Sequence, residues 1–218
     1  MVQIPAPERS GRFPTRHPVG AGGPHIPLGA AAASGDATSR HSAASGITLV
    51  PADGPGHGEA AADAVRTPYH PELPPHSLSH IVEEVLRGSR GAAVAGAHVD
   101  TGVQLSTFAD TGDIGARPRT KGRRESLVSR PGVAGLHQHS RPAVSQKPPR
   151  TQDAVLVLHS DGLPSRRRYP EDSALDRPAP AMTAAVVLRD TLSPANPVRD
   201  DTTLAVAAAG SPDPREQR

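Results

Sequence analysis

No cysteine occurs in the 218 residues, which excludes disulfides, thiolate zinc sites, iron–sulfur clusters and cysteine nucleophiles. Any metal must be held by oxygen or imidazole. Tryptophan is also absent, and tyrosine and phenylalanine occur twice each, so a core has to be built from Val, Leu and Ala and is expected to be marginally stable. No apolar run approaches the roughly 20 residues of a membrane span, and Met1 to Ser10 lacks the charged-then-apolar order of a signal peptide. A soluble cytoplasmic chain with no membrane partner is the expectation. An excess of one charge is missing too: 24 Lys and Arg stand against 22 Asp and Glu, so the mean field is weak and no nucleic-acid partner is expected. What abounds is glycine and proline, 21 and 25 residues, and these interrupt regular structure throughout.

Residues 1–33, poor in large apolar side chains and rich in Pro, Gly and Ala, read as a disordered arm, and 211–218 as a disordered tail. Between them, 34–210 reads as one α+β domain. Ile47 to Val50 is strand-like. Glu59 to Arg66 is Ala-rich and helix-compatible, and Ser77 to Arg87 places Leu78, Ile81, Val82, Val85 and Leu86 at helical spacing. Two strands, Ala92 to Val99 and Val103 to Ala109, are predicted around an Asp100-Thr-Gly102 turn. Residues 117–153 form a loose basic insertion with a short strand at Ser126 to Ser129. Order returns with a strand at Ala154 to His159, a helix at Ala179 to Arg189 and a strand at Thr203 to Ala208.

The acidic residues carry the chemistry. Asp36 lies in Ser34-Gly-Asp-Ala37, Asp53 and Asp161 each follow a strand-like run and precede Gly, and Asp200-Asp201 directly precede the last strand. Strand ends can bring such carboxylates together. Carboxylates among small residues with accessible carbonyls are what hard divalent ions require. Two such ions roughly 3.5–4 Å apart can share a water and clamp both oxygens of a phosphate-ester displacement. An Asp-Gly pair alone is equally a common turn. His137 and His139 lack a carboxylate at ligand spacing and read as a solvated loop, as do the basic runs Lys121 to Arg124 and Arg166 to Arg168. No phosphate-binding Gly-x-x-x-x-Gly-Lys loop and no Gly-x-Ser-x-Gly elbow is present.

Taken in series, the chain resembles the SpoIIE-type (RsbX-like) branch of the metal-dependent type-2C protein serine/threonine phosphatases. The resemblance runs through Ser34 to Ala37, Ile47-Thr-Leu-Val-Pro-Ala-Asp-Gly-Pro-Gly-His-Gly58, Leu86 to Val94, Phe108-Ala-Asp-Thr-Gly-Asp-Ile-Gly-Ala116, Ser129 to Gly132, Val155-Leu-Val-Leu-His-Ser-Asp-Gly-Leu163 and Arg199-Asp-Asp-Thr-Thr-Leu-Ala-Val206. It implies a sandwich of two antiparallel sheets flanked by helices, with two Mn²⁺ or Mg²⁺ ions at one edge. It implies Asp36, Asp53, the Gly54 carbonyl, Asp161 and Asp200 as ligands, Asp53 shared between both ions, with Asp201 a weaker choice and His57 a residue that orients water or phosphate. The implied activity is hydrolysis of phosphoserine or phosphothreonine by a metal-bridged hydroxide, and the implied partner is a phosphorylated anti-sigma-factor antagonist in a stress-response switch.

The chain departs from that pattern at Pro51, inside an expected central strand, at Pro55, where the loop usually has Leu, and at Thr38, where Trp is common. Two other readings therefore stand beside the enzyme: a non-catalytic pseudophosphatase that binds a partner, and a largely disordered, decayed gene product.

Overall fold

The computed structural model describes residues 19–29, 33–43, 46–56, 75–100, 106–120, 123–124, 127–136, 146–147, 155–163, 179–192 and 197–209. The expected helix at 59–66, the 100–102 turn, His57, His137, His139 and Arg166 to Arg168 lie wholly or partly outside them.

Among the described residues ten strands make two antiparallel sheets. The first contains β1 (Val19–Gly22), β2 (His25–Ile26), β7 (Gly115–Thr120), β8 (Arg123–Arg124), β9 (Val155–His159) and β10 (Thr202–Ala209), in the order β1-β10-β9-β7-β8 with β2 also on β10. The second contains β3 (Asp36–Ala43), β4 (Gly46–Asp53), β5 (Ala93–Asp100) and β6 (Ser106–Thr111), in chain order. Helix α1 (Pro75–Val85) packs on β5 and β6, and α2 (Pro180–Thr191) on β10 and β1.

Strand β9 shows why the layers form. Its run Val-Leu-Val-Leu-His is buried throughout, and successive side chains alternate between faces. Leu156 and Leu158 enter the core between the sheets with Ile47, Leu49, Ala97, Val99, Phe108, Ala205 and Ala207. Val155 and Val157 face the other way and meet Ala184, Val187 and Leu188 of α2. On the far side of the sandwich, Val82 of α1 and Leu86 just beyond it cover Val50, Ala52 and Val94. The two sheets flanked by helices are the architecture that the motif series implied.

Residues 19–29, expected to belong to a disordered arm, instead contribute β1 and β2, which pair with β10 from Val19↔Ala209 to Thr202↔Ile26. The pairing needs few large side chains because β10 supplies the buried face and the backbone supplies the bonds. In the expected loose insertion, β7 pairs with β9 from Gly115↔His159 to Arg119↔Val155. The expected strand at 126–129 is not one over its described part; Leu127 N–H donates to the Ala116 carbonyl as an irregular segment begins.

Pro51 does lie in a central strand. Strand β4 keeps one register with β5, but the pairing skips Val50 and Pro51 between Leu49↔Ala97 and Ala52↔Val94. Proline has no N–H to donate, so the ladder opens there and closes again without slipping. On its other side Pro51 stays opposite Thr38 of β3.

Candidate metal centre

The acidic positions meet where the first strands of one sheet approach the start of β10 in the other. Asp36 opens β3 and Asp53 closes β4, and the register sets them directly opposite each other. Gly54 N–H donates to the Gly35 carbonyl at 3.2 Å, so the two loops leave the sheet joined. From the other sheet, Asp161 stands in the turn after β9, and Asp200 and Asp201 immediately precede β10. Ser160 N–H donates to the Thr203 carbonyl at 3.1 Å, and Thr203 N–H donates to Ser160 Oγ at 2.9 Å, which locks these two ends together. Gly162 is required at this crossing: a Cβ there would run into the Asp201 carbonyl and the Thr202 hydroxyl.

Asp36 is 6% exposed, and its Oδ2 is buried with no hydrogen-bond partner among the described residues. Burial pushes its carboxyl up to about 6, the Ser160 hydroxyl opposes this, and the charges of Asp201 and Asp161 add to it. Asp53 is pushed up to about 8, first by burial and then by repulsion from Asp36, Asp161 and Asp200. Asp161 reaches solvent, yet partial desolvation followed by repulsion from Asp200 and Asp113 raises it too. Asp200 is oriented by the Asp201 N–H, which donates to its Oδ1 at 2.8 Å.

Asp201 is placed differently. It is 2% exposed, and its two oxygens accept backbone N–H groups from Leu28 and Gly35, each at 2.5 Å. Asp113, in the turn after β6, is a residue that the motif reading quoted without giving it a role; its charge reaches both Asp161 and Asp110. No spacing rule marks it, because its neighbour Asp161 is distant in sequence and comes near only once β7 pairs with β9.

Among the described residues, no three acidic or imidazole side chains converge tightly enough to hold an ion as they stand. Like charges resist such convergence until a cation offsets them. The donor set itself fits a hard cation: it is all oxygen, its acids are forced toward protonation by burial and then by one another, and one buried oxygen has no partner among the described residues. Among the described residues no helix is long and apolar enough to cross a membrane.

No protein-family model matches the sequence, and no curated protein matches it. Solved structures do match in fold. One from the bacterial stressosome, described as a modular system adapted to control secondary messenger signaling, superposes with a TM-score of 0.70 at 21% identity, covering 88% of this chain and 99% of its own. RsbX in complex with magnesium gives 0.66 at 15% identity, covering 96% of this chain and 100% of its own. The PP2C phosphatase domain of SpoIIE from Bacillus subtilis, solved with a fragment of its regulatory domain, gives 0.67 at 15% identity, covering 89% and 64%. The two helix-flanked sheets, with the acidic motifs of the sequence at one end, are thus the PP2C fold in the form that RsbX and the SpoIIE phosphatase domain share.

Proposed function

We propose that the chain is a metal-dependent protein serine/threonine phosphatase whose Asp36, Asp53, Gly54 carbonyl, Asp161 and Asp200 hold two Mn²⁺ or Mg²⁺ ions. The observation that carries this reading is the crowding of acids from both sheets at one seam, with Asp53 pushed up to about 8 by burial and by three neighbouring carboxylates. Such a group is stable as an anion only beside a cation, and oxygen donors favour the hard ions. When bound, a pair of these ions lowers the pKa of a shared water and neutralises charge on a phosphate ester.

The chain's own residues do the rest. Paired strand ends fix Asp36 against Asp53, so the two cannot drift apart without opening the ladder. Asp161 stands at the solvent-facing rim, where a phosphorylated side chain can approach. Asp201 is committed to two amide bonds and is not needed as a ligand in this reading. His57 is the residue that the motif resemblance offers for orienting water or phosphate. Fold neighbours from the stressosome and a cell fate determinant support a regulatory protein as partner, and the motif resemblance offers a phosphorylated anti-sigma-factor antagonist as the substrate.

The test is hydrolysis of a generic phosphate ester and of a phosphoserine peptide while Mn²⁺ is titrated from zero, with circular dichroism of every variant. Turnover should appear only with metal and fall by more than about 100-fold in Asp53→Ala and Asp161→Ala at unchanged spectra. A folded protein with no turnover at any Mn²⁺ concentration sinks the enzyme and leaves the binding module.

A further inference from the structure

Asp201 touches two stretches that are remote from it in sequence, 28–35 and the turn at Gly162. Its Oδ1 accepts the Leu28 N–H and its Oδ2 the Gly35 N–H, its own N–H donates to Asp200 Oδ1, and its carbonyl lies against Gly162. Gly35 in turn accepts the Gly54 N–H. One carboxylate therefore links the segment carrying β1 and β2 to the loops bearing Asp36, Asp53, Asp161 and Asp200. Each oxygen keeps a second lone pair, but rotating the carboxylate to aim it at an ion would pull Oδ1 off the Leu28 N–H or Oδ2 off the Gly35 N–H, at the cost that an unsatisfied donor carries.

We propose that Asp201 is a positioning residue and not a metal ligand: it ties the N-terminal segment at Leu28 to the Asp36 loop at Gly35, so that the seating of β1 and β2 on β10 sets where Asp36 and Asp53 stand. The inference rests on the metal-centre reading above for its effect on ions, but not for the link itself. Seating also depends on contacts that the Asp201 carboxylate does not make, one of them at Thr203, whose side chain bonds Asp36. His25 Nδ1 meets Thr203 Oγ1 at 2.6 Å, and Leu204 N–H donates to the Pro24 carbonyl at 3.2 Å. Anything that lifts residues 19–29 off β10 pulls on Leu28, and through Asp201 on Gly35.

Asp201→Asn is the first probe, since it keeps the shape but turns a donor toward one of the two N–H groups. In the metal-free protein, hydrogen exchange at Leu28, Gly35 and Gly54 should rise about tenfold or more, while amides of β5 such as Ala97 stay unchanged. In a Mn²⁺ titration the variant should bind the same number of ions as the wild type, about tenfold more weakly, with turnover restored at excess Mn²⁺. Loss of one bound ion makes Asp201 a ligand and overturns the proposal, as does unchanged exchange at Leu28 and Gly35. His25→Ala serves if Asp201→Asn does not fold: it should raise exchange at Leu28 and Gly35 together, and a rise at Leu28 alone refutes the link. A wild type that binds no Mn²⁺ fails the phosphatase reading, and the exchange measurements then still decide the link.

Discussion

Asp53→Asn should stabilise the metal-free protein while sharply weakening its response to metal. The folded state raises the Asp53 carboxyl from 3.8 to about 8, so the stability linked to it is fully present below pH 3.8 and is lost as the pH rises toward 8. At pH 7 the unfolded chain holds this group ionised and the fold holds it largely protonated. At about 1.36 kcal/mol per pH unit the interval from 3.8 to 7 amounts to about 4 kcal/mol, and the solvent that reaches this half-buried side chain reduces it to about 2 kcal/mol. Removing that cost should raise the melting temperature of the chelated protein by about 4–8 °C for a domain of this size. With Mn²⁺ at about 100 times its dissociation constant the wild type should gain about 2.7 kcal/mol, the variant much less, and the order of the two melts should reverse. Calorimetry with chelator and with Mn²⁺ at pH 7 measures both. A variant that melts below the wild type in chelator shows that Asp53 is held by favourable bonds, and the argument from crowding fails.

Three further outcomes follow from packing and charge away from that pair. His98 donates to or accepts from Thr48 Oγ1 at 2.9 Å on β4, with His41 on β3 on the other side of Thr48, and burial lowers both imidazoles below 6.5. Their contribution is present above pH 6.5 and is lost as the pH falls below it, so His98→Asn should show a smaller loss of stability than the wild type between pH 7 and 5, read by urea melts at each pH. Phe108 is fully buried between the sheets, and Phe108→Ala should cost about 3–5 kcal/mol, enough to leave much of the chain unfolded at 37 °C by circular dichroism. Gly162→Ala should cost about 1–3 kcal/mol and weaken Mn²⁺ binding in calorimetric titration, because the new methyl would push Asp200 and Asp201 away from Asp161.

The sequence made some elements legible because one signal decided them. Leu156, Leu158 and the valines between them had to be a strand buried on both faces, and the spacing of Ile81, Val82, Val85 and Leu86 had to be a helix stripe. Strand β3 gave no such signal: Asp-Ala-Thr-Ser-Arg-His-Ser-Ala is polar and half-exposed, and it is a strand because β4 beside it offers a full ladder from Asp36↔Asp53 to Ala43↔Gly46. Strands β1 and β2 are a similar case, too short to announce themselves, and β10 supplies the ladder on which Val19 and Ala21 reach the core. At the site, Asp36, Asp53, Asp161 and Asp200 were readable as strand-end acids. The amide partners of Asp201 and the nearness of Asp113 to Asp161 were not, since both depend on which strands become neighbours across the two sheets.

The scarcity of aromatics and the crowding of acids bear on each other. Beside its leucines, isoleucines and valines the inter-sheet core takes Ala95, Ala97, Ala205 and Ala207, and among the described residues Phe108 is its single aromatic. Alanine buries little apolar surface, so each of these positions contributes less than a Leu or Phe would. A domain of this kind has about 5–15 kcal/mol of net stability at most, and a cost of about 2 kcal/mol at the seam, from the burial of Asp53 first and repulsion by its neighbours second, is then a large share of it. The same seam is where the two sheets are fastened to each other through Asp201 and Gly35. A cation that offsets the repulsion there acts on the contact between the layers as well as on the acids, so occupancy of the site and cohesion of the sandwich should rise and fall together.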